Sequence, residues 1–300
     1  MTLLSLLVAA GILAAEPAPP APAKTGSQAI IDEILKDRED TRKWLKSDPS
    51  SYLAAIKRRD FGAKTSLTVG AASDNDVRLE GLSAHQLRVE LRGERFHVES
   101  VDADTGFRIK NGTATVREAD VEPSALGAGR YTLRLSHQGY PAIIVFDPKS
   151  PRFKEYHGIE YFPPDLSYRY VLPFQPDAKA ERVAIESTHS ANRKATRLGS
   201  FEFRVGTTTC RLAAYRLEEP GVGADAMSVF FRDATTGKES YKVGRYVEPK
   251  KEADGRWALD FNMAYSPACA YSNHYNCPVP PRENRLPVAI RAGERDSHYH

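Results

Sequence analysis

From residue 61 onward, apolar residues recur at every second position in short runs, and this alternation constrains the fold more than any other feature of the chain. SLTVG, DVRLEG, LRVELRG, RFHVESV, FRIKNG, TATVREA, RYTLRLS and AIIVF follow one another up to Phe146, separated by Gly, Asp and Asn turns. A period of two is that of a strand with one buried face, and short strands at such regular spacing specify a sandwich or barrel. A second series, VAIEST, SFEFRV, TCRLAAYRL, MSVFFRD, SYKVGRYV, RWALDFN and PVAIRA, occupies residues 181–295. The turn DATTG at 233–237 predicts a hairpin between MSVFFR and ESYKVGRYV. Three hundred residues exceed the usual single domain, so two cores are expected.

Ahead of the strands, residues 29–46 place Ile30, Ile31, Ile34, Leu35, Trp44 and Leu45 at helical spacing, with acidic residues early and Lys43 and Lys46 late. That order suits the helix dipole. Ser47-Asp48-Pro49 ends the helix, and residues 52–56 are predicted to add a helical turn, giving an N-terminal helical segment over 29–60. Residues 1–15 form an apolar run too short to span a bilayer, followed by small residues, and read as a signal peptide cut near Ala14 or Ala15. Pro17, Pro19, Pro20 and Pro22 make residues 16–28 an extended linker. The expectation is an exported protein, periplasmic or secreted, with no integral membrane segment after processing. Lysine and arginine number 42 against 39 acidic residues, interspersed along the chain, so there is no footprint for nucleic acid.

In an exporting context cysteines favour disulfides. Cys269 and Cys277 enclose a short Pro-flanked loop and are expected to be bridged, with two buried free thiols as the alternative; Cys210 reads as a small buried hydrophobe. No CxxC or paired-His spacing supports a metal site, and no cofactor is implied. A nucleophile elbow, a zinc-protease helix motif and a phosphate-binding Walker loop are all absent from the sequence. Gly221 to Ala226, GVGADA, matches a dinucleotide fingerprint only formally, since it leads into the strand MSVFF and not into a helix. Asp296, His298 and His300 read as part of a solvated tail over 296–300.

Two resemblances emerge from these strings. Val69-Gly70, Asn75 to Leu79, Ser83-Ala84-His85 and Thr105 to Gly112 resemble the skeleton of a forkhead-associated (FHA) domain. Members of that family read phosphothreonine with an arginine after the first glycine, a serine and a loop asparagine. Here Ala71 stands in the arginine position and the Ser83–His85 spacing is one residue short. The resemblance therefore implies the sandwich fold over 61–146, with His85 and Asn111 as turn and core-organising residues. The chain as a whole, from SSYLAAIKRRDFG through DPKSPRFKEYHGIEYFP and MSVFFRDATTGKESYKVGRYV to its C-terminal block, resembles a bacterial family known as domain of unknown function 1684. That resemblance implies an exported or envelope-associated β-protein and brings no substrate, reaction or cofactor.

The expected architecture is thus mainly β: a short N-terminal helix, an FHA-like β-sandwich, a Pro-rich connector over 147–180, and a second antiparallel sandwich or partly open barrel over 181–295. Function is expected in residues 259–294, LDFNMAYSPACAYSNHYNCPVPPRENRLPVAIRAGE, where two cysteines and three tyrosines accompany a Pro-Pro turn. Arg232, Asp233, Arg245, Asp260 and Glu283 lie in or beside strands that bury aromatics, so they must pair with one another or line a solvated cleft. The ligand reading assigns Arg232, Arg245, Asn262, Tyr265, Tyr271, Asn284 and Arg285 to a pocket for a sugar-like or small polar molecule. In the pairing reading, Arg285→Ala lowers stability without any ligand. The chain reads as a binding or scaffolding protein of the envelope. The alternatives are a hydrolase of an envelope polymer, with Asp260, Glu283 or His274 as acid or base, and a protein-interaction module on the FHA-like domain.

Overall fold

The computed structural model describes residues 26–110, 112–138, 140–189 and 192–299. The expected signal peptide, most of the linker, Asn111 and His300 lie outside the described residues. Helix α1 spans Gly26–Ser47 and buries Ile34, Arg38 and Leu45. It ends where the Asp48 carboxylate accepts the backbone N–H of Ser50 at 2.8 Å, ahead of which Pro49 could not continue the helical ladder. Among the described residues no helix is long and apolar enough to cross a membrane.

The strands of the first half are β1 (Ala55–Asp60), β2 (Ser66–Gly70), β3 (Val77–Arg78), β4 (Leu87–Arg92), β5 (Arg95–Ser100), β6 (Arg108–Ile109), β7 (Glu118–Val121), β8 (Ala125–Ala128), β9 (Tyr131–Gln138) and β10 (Tyr140–Phe146). They form two five-stranded sheets, ordered β3-β2-β4-β5-β7 and β1-β10-β9-β8-β6. Leu67, Val69, Val89, Phe96 and Val98 of one sheet share a single core with Leu126, Leu133, Ile143 and Val145 of the other. This is the sandwich that the period-two pattern predicts. Two local expectations differ. Residues 52–56 do not make a helical turn throughout: a single 3-10 turn at Tyr52–Ala54 passes straight into β1, because pairing with β10 claims the backbone from Ala55 onward. His85 does not organise the core but lies exposed, 3.7 Å from Asp74. Its place as organiser is taken by Asn75, whose side-chain amide donates to the carbonyls of Ala72 and Ala84 at 3.0 and 2.8 Å.

The second half contributes β11 (Arg169–Leu172), β12 (Gln175–Ile185), β13 (Arg193–Val205), β14 (Thr208–Leu217), β15 (Val229–Phe231), β16 (Arg245–Val247), β17 (Lys250–Lys251) and β18 (Trp257–Asp260). They make the antiparallel sheets β12-β13-β14 and β11-β18-β17 and the hairpin pair β15-β16, and they do not close into a barrel. Phe201, Phe203, Leu212, Phe231, Leu259, Phe261 and Ile290 fill the core between them. A third apolar cluster joins Leu45 of α1, Leu53, Ile144 and Phe146 of the first half, and Tyr271, Tyr275 and Cys277 of the second. The helix and both halves are therefore packed on one another.

PVAIRA, expected as a strand, is irregular: the carbonyls of Ile290 and Ala292 bond to a side chain, and that of Val288 accepts the Ala234 N–H at 3.0 Å, outside any strand ladder. The wholly buried Arg245 guanidinium donates to the carbonyls of Ile290 (2.7 Å), Ala292 (2.5 Å) and Glu294 (3.2 Å). Asp233, equally buried, lies 3.4 Å from Arg245 and accepts the Ile290 N–H at 2.6 Å. The 296–300 tail is likewise not free over its described part: Tyr299 stacks on His157 at 4.2 Å and donates to the carbonyl of Gly158 at 2.9 Å. Removing one partner of a buried ion pair leaves the other charge uncompensated. Asp233→Ala is accordingly expected to lower unfolding free energy by about 3–5 kcal/mol in urea denaturation. Arg285 is exposed and faces no carboxylate among the described residues, so Arg285→Ala is expected to stay within about 0.5 kcal/mol of the parent.

Candidate functional site

A cavity of about 360 Å³ opens where α1 meets the second half. The helix supplies Asp37, Thr41 and Trp44 at i, i+4 and i+7, one face of a helix by its 3.6-residue period. Tyr52 from the following 3-10 turn, Tyr161 from the connector, and Tyr265, Ser266 and Tyr271 from the C-terminal block complete the aromatic wall. Trp44 and Tyr52 meet edge to face at 4.7 Å, and Tyr52 stacks on Tyr271 at 5.6 Å. Such rings offer flat apolar faces whose polar tips can still reach a ligand.

Three carboxyl groups, Asp37, Glu248 and Glu294, border the same cavity. Glu294 is enclosed on the protein side; it accepts the Ser266 N–H at 3.0 Å and pairs with the Tyr271 hydroxyl. Burial pushes its carboxyl up to about 8. Glu248 is reached by solvent from the cavity mouth, yet the surrounding walls raise it too, against the opposing effect of the Tyr265 hydroxyl at 2.5 Å. Burial raises Asp37 in the same direction. Lys250, also on the rim, is held by Glu33 at 2.8 Å. The backbone delivers Glu294 through Gly293, whose φ is +78° and whose absent Cβ would lie 2.5 Å from the carbonyl of Ala264. Only glycine tolerates both that conformation and that approach.

A second lobe of about 290 Å³ shares Tyr52, Glu248 and Tyr265 with the first and extends past Arg134, Tyr246 and Tyr275. Arg193 there pairs with Glu219 and donates to the carbonyl of Asn276 at 2.5 Å. Glu248 also borders a third, small pocket beside Glu33 and Arg169, so it stands where the three spaces meet.

Of the residues expected at the site, the cavity gathers Tyr265 and Tyr271. The others have structural work. Asn262 bonds to Asp165 and Asp260 through both ends of its amide. Asn284 is fully buried, bonded to Ala213 N–H and to the carbonyls of Ala213 and Phe230 at 2.7–2.9 Å. Arg245 is committed to its three carbonyls. Asp260 caps the turn Phe261–Met263 by accepting the Asn262 N–H at 2.9 Å and sits 3.5 Å from Arg169. Glu283 is clasped by Arg197 at 3.1 Å and by the Tyr215 hydroxyl, away from the cavity. His274 is half-buried with its ring held below its ordinary value by burial and by Arg152, and it borders neither lobe. Arg232 and Arg285 lie together on another surface.

Cys269 and Cys277 are both buried and no disulfide joins them, so the expected bridge is not formed. Their loop is closed by hydrogen bonds: Cys277 exchanges two with Thr188 at 3.0 Å, and Ser272 N–H reaches the carbonyl of Ala268 at 3.0 Å. The Cys269 N–H points at the Cys277 sulfur at 3.2 Å. Hydrogen bonding between the thiols pulls Cys269 down and, together with burial, pushes Cys277 well up. Cys210 is buried, as expected. Among the described residues no cluster of His, Cys, Asp and Glu could hold a metal ion. Trp44, Tyr52, Glu248 and Glu294 were not singled out by the sequence. The one local signal was a carboxylate directly after each apolar stretch, in RYVEP and VAIRAGE.

The fold and cleft define a mainly β, two-part protein with an aromatic, carboxyl-lined cavity under an N-terminal helix. Residues 154–295 match the model of the family described as "Protein of unknown function (DUF1684)". The resemblance expected over nearly the whole mature chain is thus carried by its second half. No curated protein matches the chain. The solution NMR structure of an uncharacterized protein from Haloarcula marismortui is similar at 34% identity, over 51% of this chain and 85% of that one, with a TM-score of 0.41. The FHA domain of FhaA, crystallised with the intracellular domain of another protein, shares 22% identity over 27% of this chain and 78% of its own, with a TM-score of 0.20. An FHA structure from a study of phosphothreonine-dependent interactions shares 21% over 27% and 75%, also at 0.20.

A buried acid whose folded value lies above its unfolded one binds more protons when folded. Its stabilising neutral form is complete below about pH 4.5 and is lost as pH rises toward 8. Glu294→Gln keeps the neutral, hydrogen-bonded shape. The difference in unfolding free energy between variant and parent is therefore expected to grow by a few kcal/mol from pH 5 to pH 9, in favour of the variant. Paired denaturant titrations across that range measure it, and a constant difference would mean Glu294 does not titrate in this way.

Proposed function

We propose that this chain binds a small, polar, sugar-like ligand in the cleft between α1 and the C-terminal block, and that it does so as an exported protein of the cell envelope. The observation that carries the binding reading is the combination of Trp44, Tyr52, Tyr265 and Tyr271 with the raised carboxyls of Glu248 and Glu294 around one cavity. A neutral carboxyl both donates and accepts a hydrogen bond, which suits ligand hydroxyls, while the rings take the apolar faces of a pyranose. The two lobes, about 360 and 290 Å³, fall in the size range of small-molecule sites. Support for export is the apolar run of residues 1–15 and the Pro-rich stretch behind it.

One observation favours a second reading, a hydrolase of an envelope polymer. Glu294, raised to about 8, could hold a proton for a leaving group while Glu248, bordering the same cavity, assists. These two replace Asp260 and Glu283, whose oxygens are occupied by Asn262, Arg169, Arg197 and Tyr215.

Thermal-shift and tryptophan-fluorescence titrations against envelope sugars and muropeptides test both. A ligand is expected to raise the melting temperature and perturb Trp44 emission. Trp44→Ala is expected to weaken binding about tenfold or more, the scale of one lost stacking ring. Glu248→Gln should retain binding; if the parent cleaves the polymer and this variant does not, the hydrolase reading holds. Absence of binding to any sugar or muropeptide would sink the first reading.

A further inference from the structure

A surface depression of about 450 Å³, which shares no lining residue with the cleft, is bordered by Arg232, Pro280, Pro281, Arg282 and Arg285. Three of its five lining residues are guanidinium groups, and no carboxylate lies within ion-pair distance of any of them among the described residues. Several other arginines of the second half are paired with acids: Arg193 with Glu219, Arg197 with Asp177 and Glu283, Arg291 with Glu239. The charge of Arg285 adds to burial in holding Arg232 below its ordinary value, and the charge of Glu186 opposes it.

This convergence is built into the backbone. Arg232 and Arg285 face each other in a parallel β-bridge, with Arg232 N–H bonded to the carbonyl of Asn284 at 3.0 Å and Leu286 N–H to that of Arg232 at 2.8 Å. Asn284, between the two arginines in the chain, is the residue pinned by three further bonds to β14 and β15. Arg232 Nε is held by the carbonyl of Val243 at 2.8 Å, which leaves the rest of its guanidinium for the basin. Gly244 lets Pro280 close the wall, since a Cβ there would lie 2.7 Å from Pro280 Cγ and 2.6 Å from the carbonyl of Phe231. Folding thus brings three guanidinium groups together with no carboxylate at ion-pair distance among the described residues, an arrangement that a bound oxyanion would relieve.

We propose that this basin is an anion site, distinct from the cleft, that binds the phosphoryl group of a small phosphorylated ligand. Arg282 and Arg285 reach from the exposed rim and Arg232 from the floor. Guanidinium forks present paired N–H donors that match phosphate oxygens, and three of them neutralise a phosphate dianion more fully than a carboxylate needs. The volume leaves room beside the phosphoryl group for the organic part of an ester.

Isothermal titration of the full chain at about 50 mM salt, where screening is still modest, uses inorganic phosphate and glucose 1-phosphate as probes. Both are expected to bind, with affinity falling as salt rises. Tighter binding of the ester assigns the site to a phosphorylated molecule; equal binding assigns it to free phosphate. Arg282→Gln and Arg285→Gln, both at exposed positions, are each expected to weaken binding about tenfold, the scale of one lost charge-assisted contact. Their melting temperatures should match the parent. Trp44→Ala is expected to leave phosphate binding unchanged, which separates this site from the cleft. No heat with either probe, or unchanged affinity in both arginine variants, would overturn the proposal.

Discussion

The buried guanidinium of Arg245 is the interaction on which the second half depends. Its contacts with the carbonyls of Ile290, Ala292 and Glu294 do for residues 290–294 what a neighbouring strand would otherwise do. Burying that charge is costly, and Asp233 together with three carbonyl dipoles offsets it. The chain gains an irregular path: residues 287–294 cross the sheet edge, pass Ala264 at Gly293, and present Glu294 inward. A regular strand would alternate its side chains and could not turn Ile290 and Ala292 into the core while aiming Glu294 at the aromatic cavity. The same contact therefore sets both the packing of the core and the place of the most perturbed acid in the molecule.

The cavity is assembled from stretches far apart in the chain, which explains its chemistry. Helix α1 has little apolar surface of its own; it is held by Arg38, buried and bonded to the carbonyls of Phe162 and Asn262, and by packing over Tyr161 at 4.6 Å. Those contacts bring Trp44 over Tyr52 and close the space above Glu248 and Glu294. A carboxyl roofed by aromatic rings loses hydration and keeps its proton. The raised acids are thus a consequence of the helix docking, and opening the helix would return them toward ordinary carboxylates. Any ligand that enters must replace the contacts that the rings make with one another.

Much of the fold was legible because it rests on local periodicity. The helix over 29–46, the eight strings of the first series, each of which overlaps a strand, and the long pair β13-β14 follow from patterns that a few neighbouring residues carry. The failures share one cause. PVAIRA alternates like a strand, yet Arg245, more than forty residues earlier, takes the carbonyls of Ile290 and Ala292. The stretch at 52–56 reads as a helical turn until β10 pairs with it. The site was legible only in part: Tyr265 and Tyr271 were marked by the density of special residues around them, whereas Trp44 and Glu248 join through tertiary packing. Asn262, Asn284, Asp260 and Glu283 drew attention because buried polar groups are conspicuous in sequence. Their actual work is to satisfy backbone groups in loops that lack ladders of their own.

The two concave sites carry opposite electrostatic character, and this follows from how each is walled. The cleft is formed by aromatic rings and by carboxyls that burial shifts toward their neutral form, so it favours hydroxyl-rich matter. The Arg232, Arg282 and Arg285 basin is formed by rigid backbone and prolines, with guanidiniums that cannot shed theirs at any ordinary pH. Raising the pH toward 8 ionises Glu294 and makes the cleft more hostile to anions while leaving the basin cationic. A ligand bearing both a sugar-like body and a phosphoryl group would thus meet two surfaces that sort its parts by charge. Asn284 connects these surfaces through the core, since it anchors the basin loop to β14 and β15 and so to the sheet that carries Arg245 and, beyond it, Glu294.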